Sequence, residues 1–552
     1  MAARPAWVRW WILLVTSYSS GLQGLLWMSY SLVPKASIVF LIGKQRALQG
    51  DDGDRILLWL LNCGPIAYIL TVTCASATLD SANGLRTAVL VGTGMCLVAS
   101  ILRCVPMLFT QTWSPLHVEA AANGEWATPL LVPVFIAQII NAAAAPFTQA
   151  SPSLLSQTWF GVKERRTATA IARVSNAGGR AVGFLLGATN MVRHASDMPL
   201  FLALHIVLSV IPMVVALVYF PGAPAVPPSR SAAFYGARGD TAGAAVEGDG
   251  SALVLPEGGG DDDADGGGLR VALIAPIVGE PALGSGAVAA DAADTKKRGL
   301  GSMLQSAVTS SVTSVRSVLS GAARVFFSKR RFGFLVIAFG LQMGGYGAWS
   351  GALTSVLTAD GVSPTQASWL GFGNTIAGMI GGAVAGFATD SPALARRLRL
   401  VMVTLALIAA AAFLVPALAL HPTQLFTMRY YGHLALCTAS GLFRGALDPL
   451  FFEMSTELAF VEKVPAGTAG GALTVWCHAV MIMFLTTGIL YPQTLKNVML
   501  MGMVVCMLLS AALIGLTKQN YDRTDMDFKA LKRREVEAEE AEEAAKSAVV
   551  DC

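Results

Sequence analysis

Twelve apolar segments, six ahead of a polar stretch between Pro221 and Ala322 and six behind it, dictate that this chain folds in lipid. A helix rises about 1.5 Å per residue and the hydrocarbon core of a bilayer is about 30 Å thick, so one crossing takes roughly 20 apolar residues. The segments run Val8–Leu32, Ile56–Leu79, Thr87–Met107, Leu130–Leu154, Thr167–Met191 and Leu200–Phe220, then Phe332–Leu357, Gln366–Ala388, Leu400–Leu420, Tyr430–Met454, Ala466–Tyr491 and Val498–Leu516. With 54% hydrophobic and only 13% charged residues, the chain lacks the polar surface of a water-soluble domain. The net charge of +4 does not indicate nucleic acid, because the basic residues lie in short connections and form no patch.

Those basic residues set the orientation, since loops rich in Lys and Arg stay in the cytoplasm. Arg4 lies ahead of the first segment and Arg9 at its very start, Lys163, Arg165 and Arg166 lie between four and five, and Arg396 and Arg397 between eight and nine. Lys329 to Arg331 and the basic tail at Lys532 to Arg534 fall on the same side, so both termini and the central loop are expected in the cytoplasm. Lys35, Lys44 and Arg46 are the exception, offset by Asp51, Asp52 and Asp54. The run Trp10 to Val33 is too long for a signal-peptide core and reads as an uncleaved first helix. Seven of the eight cysteines sit in or beside apolar segments, where they serve as small hydrophobes; Cys552 is the last residue and carries no prenylation signal.

The expected domains are residues 1–220 and 331–517, each of six helices, joined by a linker at 221–330 and followed by a polar tail at 518–552. The linker's Gly258 to Gly266 run has too few apolar groups to order itself. Within it, Leu304, Val308, Val312, Val315 and Leu319 recur at helical spacing, so 303–327 is either a helix lying on the membrane or loosely ordered chain.

The second helix of each half ends in an acid followed by basic residues: Asp80 with Arg86, and Asp390 with Arg396 and Arg397. This resembles the signature after helices two and eight of the major facilitator superfamily, in which an acid at a helix end pairs with an Arg to latch the cytoplasmic side. Gly84 stands four residues after Asp80, where that family usually has three, a departure that bears on the first latch. Longer stretches are more specific. Leu22 to Tyr30, Leu102 to Pro106, Thr158 to Phe160 and Glu164 to Ala172 resemble the feline leukaemia virus subgroup C receptor-related transporters. Trp349-Ser350-Gly351, Trp369 to Phe372, Pro449 with Phe451 to Glu453, Glu457 and Tyr521-Asp522-Arg523 are similar to the disrupted-in-renal-carcinoma branch. Phe460 to Lys463 departs from it. The resemblance covers the membrane portion but not the linker. It implies an all-α major facilitator fold of two pseudo-symmetric six-helix bundles, and a carrier of small organic metabolites such as choline, ethanolamine, pyridoxine or haem. It also implies proton-driven export at lysosomal membranes.

Charges inside apolar segments cost a few kcal/mol to insert, so each marks a candidate site. They are Arg103, Arg173, Arg180, Arg444, Asp448 and Glu453, with Glu457 at the cytoplasmic end of the tenth helix, together with His205 and His478. Arg444 and Asp448 share a helix face at i and i+4, as do Glu453 and Glu457. One of these carboxylates carries a coupling proton, or Arg444 and Asp448 form a structural pair. Arg173 and Arg180 are seven residues apart on one face; Arg180 either meets an anionic cargo group or pairs with an acid across the interface. Arg103, at the outer end of helix three, reads as structural, either snorkelling or pairing. Trp27, which matches a family position facing the central cavity, and Tyr346 and Trp349 of helix seven either stack on cargo or pack. Gln23, Gln138 and Asn141 either bond cargo or bind helices together. Glycines at 178, 179, 183, 371, 373, 378, 381, 382 and 386 permit close helix approach, either between the halves or within one. No HExxH metal motif, paired intramembrane Asp or Ser-His elbow is present in the sequence, so neither an enzyme nor a cofactor is expected. The expected partners are a small-molecule substrate, protons and the lipid bilayer, with the chain acting as a monomer and binding no nucleic acid. The competing readings are a uniporter without ion coupling and a receptor or scaffold that transports nothing.

Overall fold

The computed structural model describes residues 7–43, 52–79, 81, 83–110, 131–161, 164–189, 191–224, 330–358, 362–389, 391–420, 429–461, 466–491 and 495–517, with Asp525, Lys529, Arg533 and Val536 of the tail. The body of the linker, including the 303–327 segment, and the acids Asp80 and Asp390 lie outside the described residues.

Helices stand at all twelve apolar segments. In the first half they are α1 (Trp7–Leu32), α2 (Pro34–Ile42), α3 (Asp52–Leu79), α4 (Gly84–Thr110), α5 (Leu131–Gln149), α6 (Ser151–Trp159), α7 (Arg165–Ala188) and α8 (Met198–Val218). The second half has α9 (Arg330–Phe339), a π-helical turn at Gly340–Gly344, α10 (Gly345–Thr358), α11 (Pro364–Thr389), α12 (Leu398–Ala419), α13 (Tyr430–Val461), α14 (Ala466–Leu490) and α15 (Leu495–Leu516). Among the described residues nine helices are long and apolar enough to cross a membrane, or ten if the bent pair α1 and α2 is one span. The expected twelve exceeds this count at α7 and α13. Both are long enough, at 24 and 32 residues, but Arg173 and Arg180 on one and Arg444, Asp448, Glu453 and Glu457 on the other lower their hydropathy. The two long helices that fall short of this test are therefore those that carry most of the candidate charges.

Two backbone irregularities have clear causes. The 77° bend between α1 and α2 falls at Val33, whose φ of −128° and ψ of 61° leave the helical region because Pro34 follows it. The π-helical turn inserts an extra residue into the seventh segment at Met343 and just ahead of Tyr346, a device often found at functional sites.

Packing joins the halves. Met28, Leu61 and Phe184 of the first half share one apolar cluster with Tyr346, Trp349 and Leu370 of the second. α7 packs along α11, and α3 along α14. The glycines divide between the two expected uses. Gly179 meets the backbone of Gly21, and Gly381 that of Leu442, each within one half, whereas Gly371 lies against Phe184 and Gly178 against Met379 across the halves. Outward faces are apolar: Leu70 and Leu200 are each 72% exposed and Val218 is 79% exposed, a surface that only lipid tails satisfy.

Candidate functional site

Between the halves lies a cavity of about 100 Å³, walled by helices of both. α1 contributes Gln23 and Trp27, α7 Arg173 and Arg180, the π-turn and α10 Met343 and Tyr346, α13 Arg444 and Asp448, and α14 His478. Of the residues singled out from sequence, Gln23, Trp27, Tyr346, Arg180, Arg444 and Asp448 thus come together at one cavity.

Charge is unevenly spread around this wall. Arg173 donates from Nη2 to Asp448 Oδ1 at 2.9 Å and from Nη1 to the Gln149 carbonyl at 2.7 Å. The guanidinium also lies 4.0 Å from the Phe452 ring centre. Asp448 is therefore paired across the halves, not with Arg444 on its own helix. Arg444 is only 6% exposed and places its guanidinium carbon 3.4 Å above the Tyr346 ring, with Nη1 3.6 Å from Met343 Sδ. Arg180 approaches the same ring at 5.7 Å. Among the described residues, the Nε groups of both Arg180 and Arg444 are buried without an acceptor.

Trp27 is held at the wall. Its indole N–H donates to the Leu61 carbonyl at 3.2 Å, and a side chain on Gly64 would strike the ring. A Cβ on Gly351, from the other half, would lie 3.5 Å from the far edge of the indole. Gln23 is a junction: its Oε1 accepts from Asn176 at 3.0 Å and from Gln149 at 3.3 Å. His478 stacks on Tyr68 with ring centres 3.6 Å apart, and its Nδ1 lies 2.7 Å from the Thr474 carbonyl.

Three proposed cargo contacts stand outside the wall. Gln138 accepts from Arg103 Nη2 at 2.5 Å and donates to the Trp27 carbonyl at 2.9 Å. Arg103 also donates to Ser29 Oγ at 2.9 Å and to the Leu26 carbonyl at 2.8 Å, and is fully buried. Gln138 and Arg103 thus form a bracket behind Trp27. Asn141 is fully buried, its carbonyl 3.4 Å from Gln23 Nε2 and its Oδ1 3.7 Å from Cys96 Sγ. Trp349 packs edge-on to Phe413 at 5.3 Å and lines a second, smaller apolar pocket. Arg173, Asn176 and Gln149 also line the cavity; the sequence marks Arg173 as a candidate charge without naming it a cargo contact, and singles out neither of the two amides. A polar side chain on the same face as Arg173 and Arg180, as Asn176 is, was the available signal.

Polar contacts join the halves on either side of the cavity. Asn62 Nδ2 donates to Thr486 Oγ1 at 3.0 Å on one side; on the other, Thr169 Oγ1 lies 3.4 Å from Glu453 Oε1 and 2.7 Å from Ser156 Oγ. Glu453 and Glu457 are buried below the cavity and not in its wall. Arg86 is exposed, and Arg396 pairs with Asp525 of the tail at 3.2 Å.

No family model matches the chain. It is 25% identical to a solute carrier family 49 member 4 homolog of Xenopus tropicalis, over 94% of this chain and 93% of that protein. The choline/ethanolamine transporter FLVCR1 of Felis catus is 29% identical over 32% of this chain and 27% of its own length. The solved proton:xylose symporter XylE, of the major facilitator superfamily, matches with a TM-score of 0.57 at 11% identity, over 92% of this chain and 94% of that one. The resemblance read from the sequence motifs therefore holds: the chain is related to the solute carrier family 49 proteins, and its fold is that of the major facilitators. Its many long apolar helices make it an integral, multi-pass membrane protein with the major facilitator fold.

Proposed function

We propose that this relative of the solute carrier family 49 is a secondary transporter that moves a small organic metabolite by alternating access, with protons as the coupling ion. The chain crosses the membrane twelve times, in two six-helix halves with both termini in the cytoplasm, and cargo binds at the cavity between them. The observation that carries the reading is the Arg173–Asp448 ion pair, which ties the halves at the cavity wall. Rocking of the halves parts α7 from α13 and must break this pair. Asp448 then has two options: to turn to Arg444, its i−4 neighbour on α13, or to take up a proton from the side that has opened. The second option makes the opening step depend on a proton.

Glu453 and Glu457 serve as gate residues below the cavity, where Glu453 meets Thr169 of the opposite half. Arg86 and Arg396 belong to the cytoplasmic latches proposed for Asp80 and Asp390.

The test is uptake of labelled choline, ethanolamine, pyridoxine and benzoate into proteoliposomes, with and without an acid-inside or acid-outside gradient. A gradient accelerates wild-type uptake, and Asp448→Asn abolishes that acceleration while retaining exchange at equal pH. Gradient-independent uptake by the wild type establishes a uniporter instead, and membrane insertion with no uptake of any compound favours a receptor.

A further inference from the structure

The cavity wall carries four formal charges: Arg173, Arg180, Arg444 and Asp448. Asp448 pairs with Arg173, so among the described residues two guanidinium groups of the wall remain without a carboxylate of their own. Arg444 is buried and Arg180 half-buried. Arg444 is 6% exposed, its hydrogen-bonding neighbour is a thioether sulfur 3.6 Å away, and its Nε has no acceptor. Arg180 likewise has a buried Nε without an acceptor. The electron-rich face of Tyr346 lies under Arg444 at 3.4 Å and near Arg180 at 5.7 Å, a contact that favours a cation but supplies no lone pair.

Two like charges around one ring, one buried and one half-buried, are unfavourable unless something of opposite charge joins them. Guanidinium groups present several N–H donors in a plane, matched to the paired oxygens of a carboxylate or phosphate. A substituted ammonium, by contrast, would be repelled by both.

We propose that the cargo is a small organic anion whose carboxylate or phosphate group is held by Arg180 and Arg444, with its apolar part against Trp27 and Tyr346. This rests on the transport reading above and names the class of cargo for the same cavity. It also supplies the coupling. An anion on Arg444 occupies the alternative partner of Asp448, so when Arg173 withdraws, Asp448 is left unpaired and takes a proton from the open side. Cargo and proton then cross together, one negative charge with one positive.

The experiment compares ligands that share a benzene ring and differ in charge. Benzoate, phenyl phosphate, benzyl alcohol and benzylamine are added to the purified full chain in nanodiscs, and binding is read by thermal shift and isothermal calorimetry. Wild-type protein is expected to bind benzoate or phenyl phosphate at least about tenfold more tightly than benzyl alcohol, and to bind benzylamine least. Arg180→Gln and Arg444→Gln are each expected to lose about tenfold or more of the anion affinity. Arg180 is the more accessible of the two, so R180Q and R180K carry the test if R444Q fails to fold. Binding of benzoate alone assigns a carboxylate, and of phenyl phosphate alone a phosphate.

The proposal is overturned if benzylamine binds as tightly as the anions, if no anion binds, or if R180Q leaves anion affinity unchanged. The two readings fail separately. Anion binding without uptake in proteoliposomes removes the transport reading and keeps this one; choline uptake that R180Q leaves intact, with no anion binding, does the reverse.

Discussion

Arg173 and Asp448, 275 positions apart in sequence, meet at 2.9 Å on the wall of a cavity that neither half encloses alone. Their side chains are 9% and 20% exposed, so the pair is shielded from bulk water but not sealed from it. Removing one partner strands the other charge and costs on the order of 3 kcal/mol, toward the lower end for buried pairs because Asp448 keeps some solvent. Arg173→Gln and Asp448→Asn should each lower the apparent Tm, and each should raise the labelling of cysteines introduced on α7 and α13 at the cavity. The swapped pair Arg173→Asp with Asp448→Arg should recover much of the loss. Swap behaviour no better than the sum of the single variants would mean that the pair does not act as a unit.

Trp27 is expected to be the aromatic contact most sensitive to substitution. Its indole is fixed by the Leu61 carbonyl, by the bare backbone at Gly64 and by the bracket of Arg103 and Gln138 behind it. Trp27→Ala should weaken cargo binding by about 1 to 2 kcal/mol, roughly tenfold, with membrane expression preserved. Gly64→Ala should weaken it comparably without touching Trp27, because a Cβ there displaces the ring. Binding assays on the two variants check both, and wild-type affinity in G64A would show that the ring position is immaterial.

Much of this was legible in the sequence. Seven-residue spacing put Arg173 and Arg180 on one face of α7, and burial cost alone marked α13 as a functional helix. What sequence could not supply was the partner. The i, i+4 spacing offered Arg444 to Asp448, yet Arg444 turns to Tyr346 and Asp448 to a helix of the other half, a choice made by how α7 and α13 face each other. Gln138 was unreadable for a similar reason. An inward amide looks the same in sequence whether it waits for cargo or caps a buried cation, and Arg103 lay close enough to a segment end to suggest snorkelling. The helix in fact continues to Thr110, which leaves Arg103 inside the bundle.

Arg103 therefore yields a prediction opposite in kind to that for Arg180. Arg103→Leu leaves Ser29, the Leu26 carbonyl and Gln138 without their donor, each loss costing about 1 to 3 kcal/mol. Expression and Tm should fall sharply. Any protein that does fold should keep its preference among charged and neutral ligands, since Arg103 lies behind the cavity wall. Thermal melts and the charge-series binding assay on R103L and Q138A separate the two effects, and a changed ligand preference with normal stability would contradict the bracket role.

Adjacent glycines on α7 make the sharpest stability contrast. A Cβ on Gly179 would overlap the Gly21 carbonyl of α1, which is backbone and cannot swing aside, so Gly179→Ala must push two helices apart within the first half. A Cβ on Gly178 would sit 3.2 Å from the terminal methyl of Met379 on α11, the far end of a flexible side chain across the interface. Met379 can rotate, and replacing a helical Gly by Ala in itself favours the helix by about 0.5 to 1 kcal/mol. Gly179→Ala should therefore lose several kcal/mol, read as poor expression or a Tm lower by many degrees. Gly178→Ala should melt within a few degrees of wild type, and its effect, if any, should fall on transport rate, because Met379 lies where α7 slides past α11. Equal melting temperatures for the two variants would mean that α1 and α7 do not pack as closely as this geometry requires.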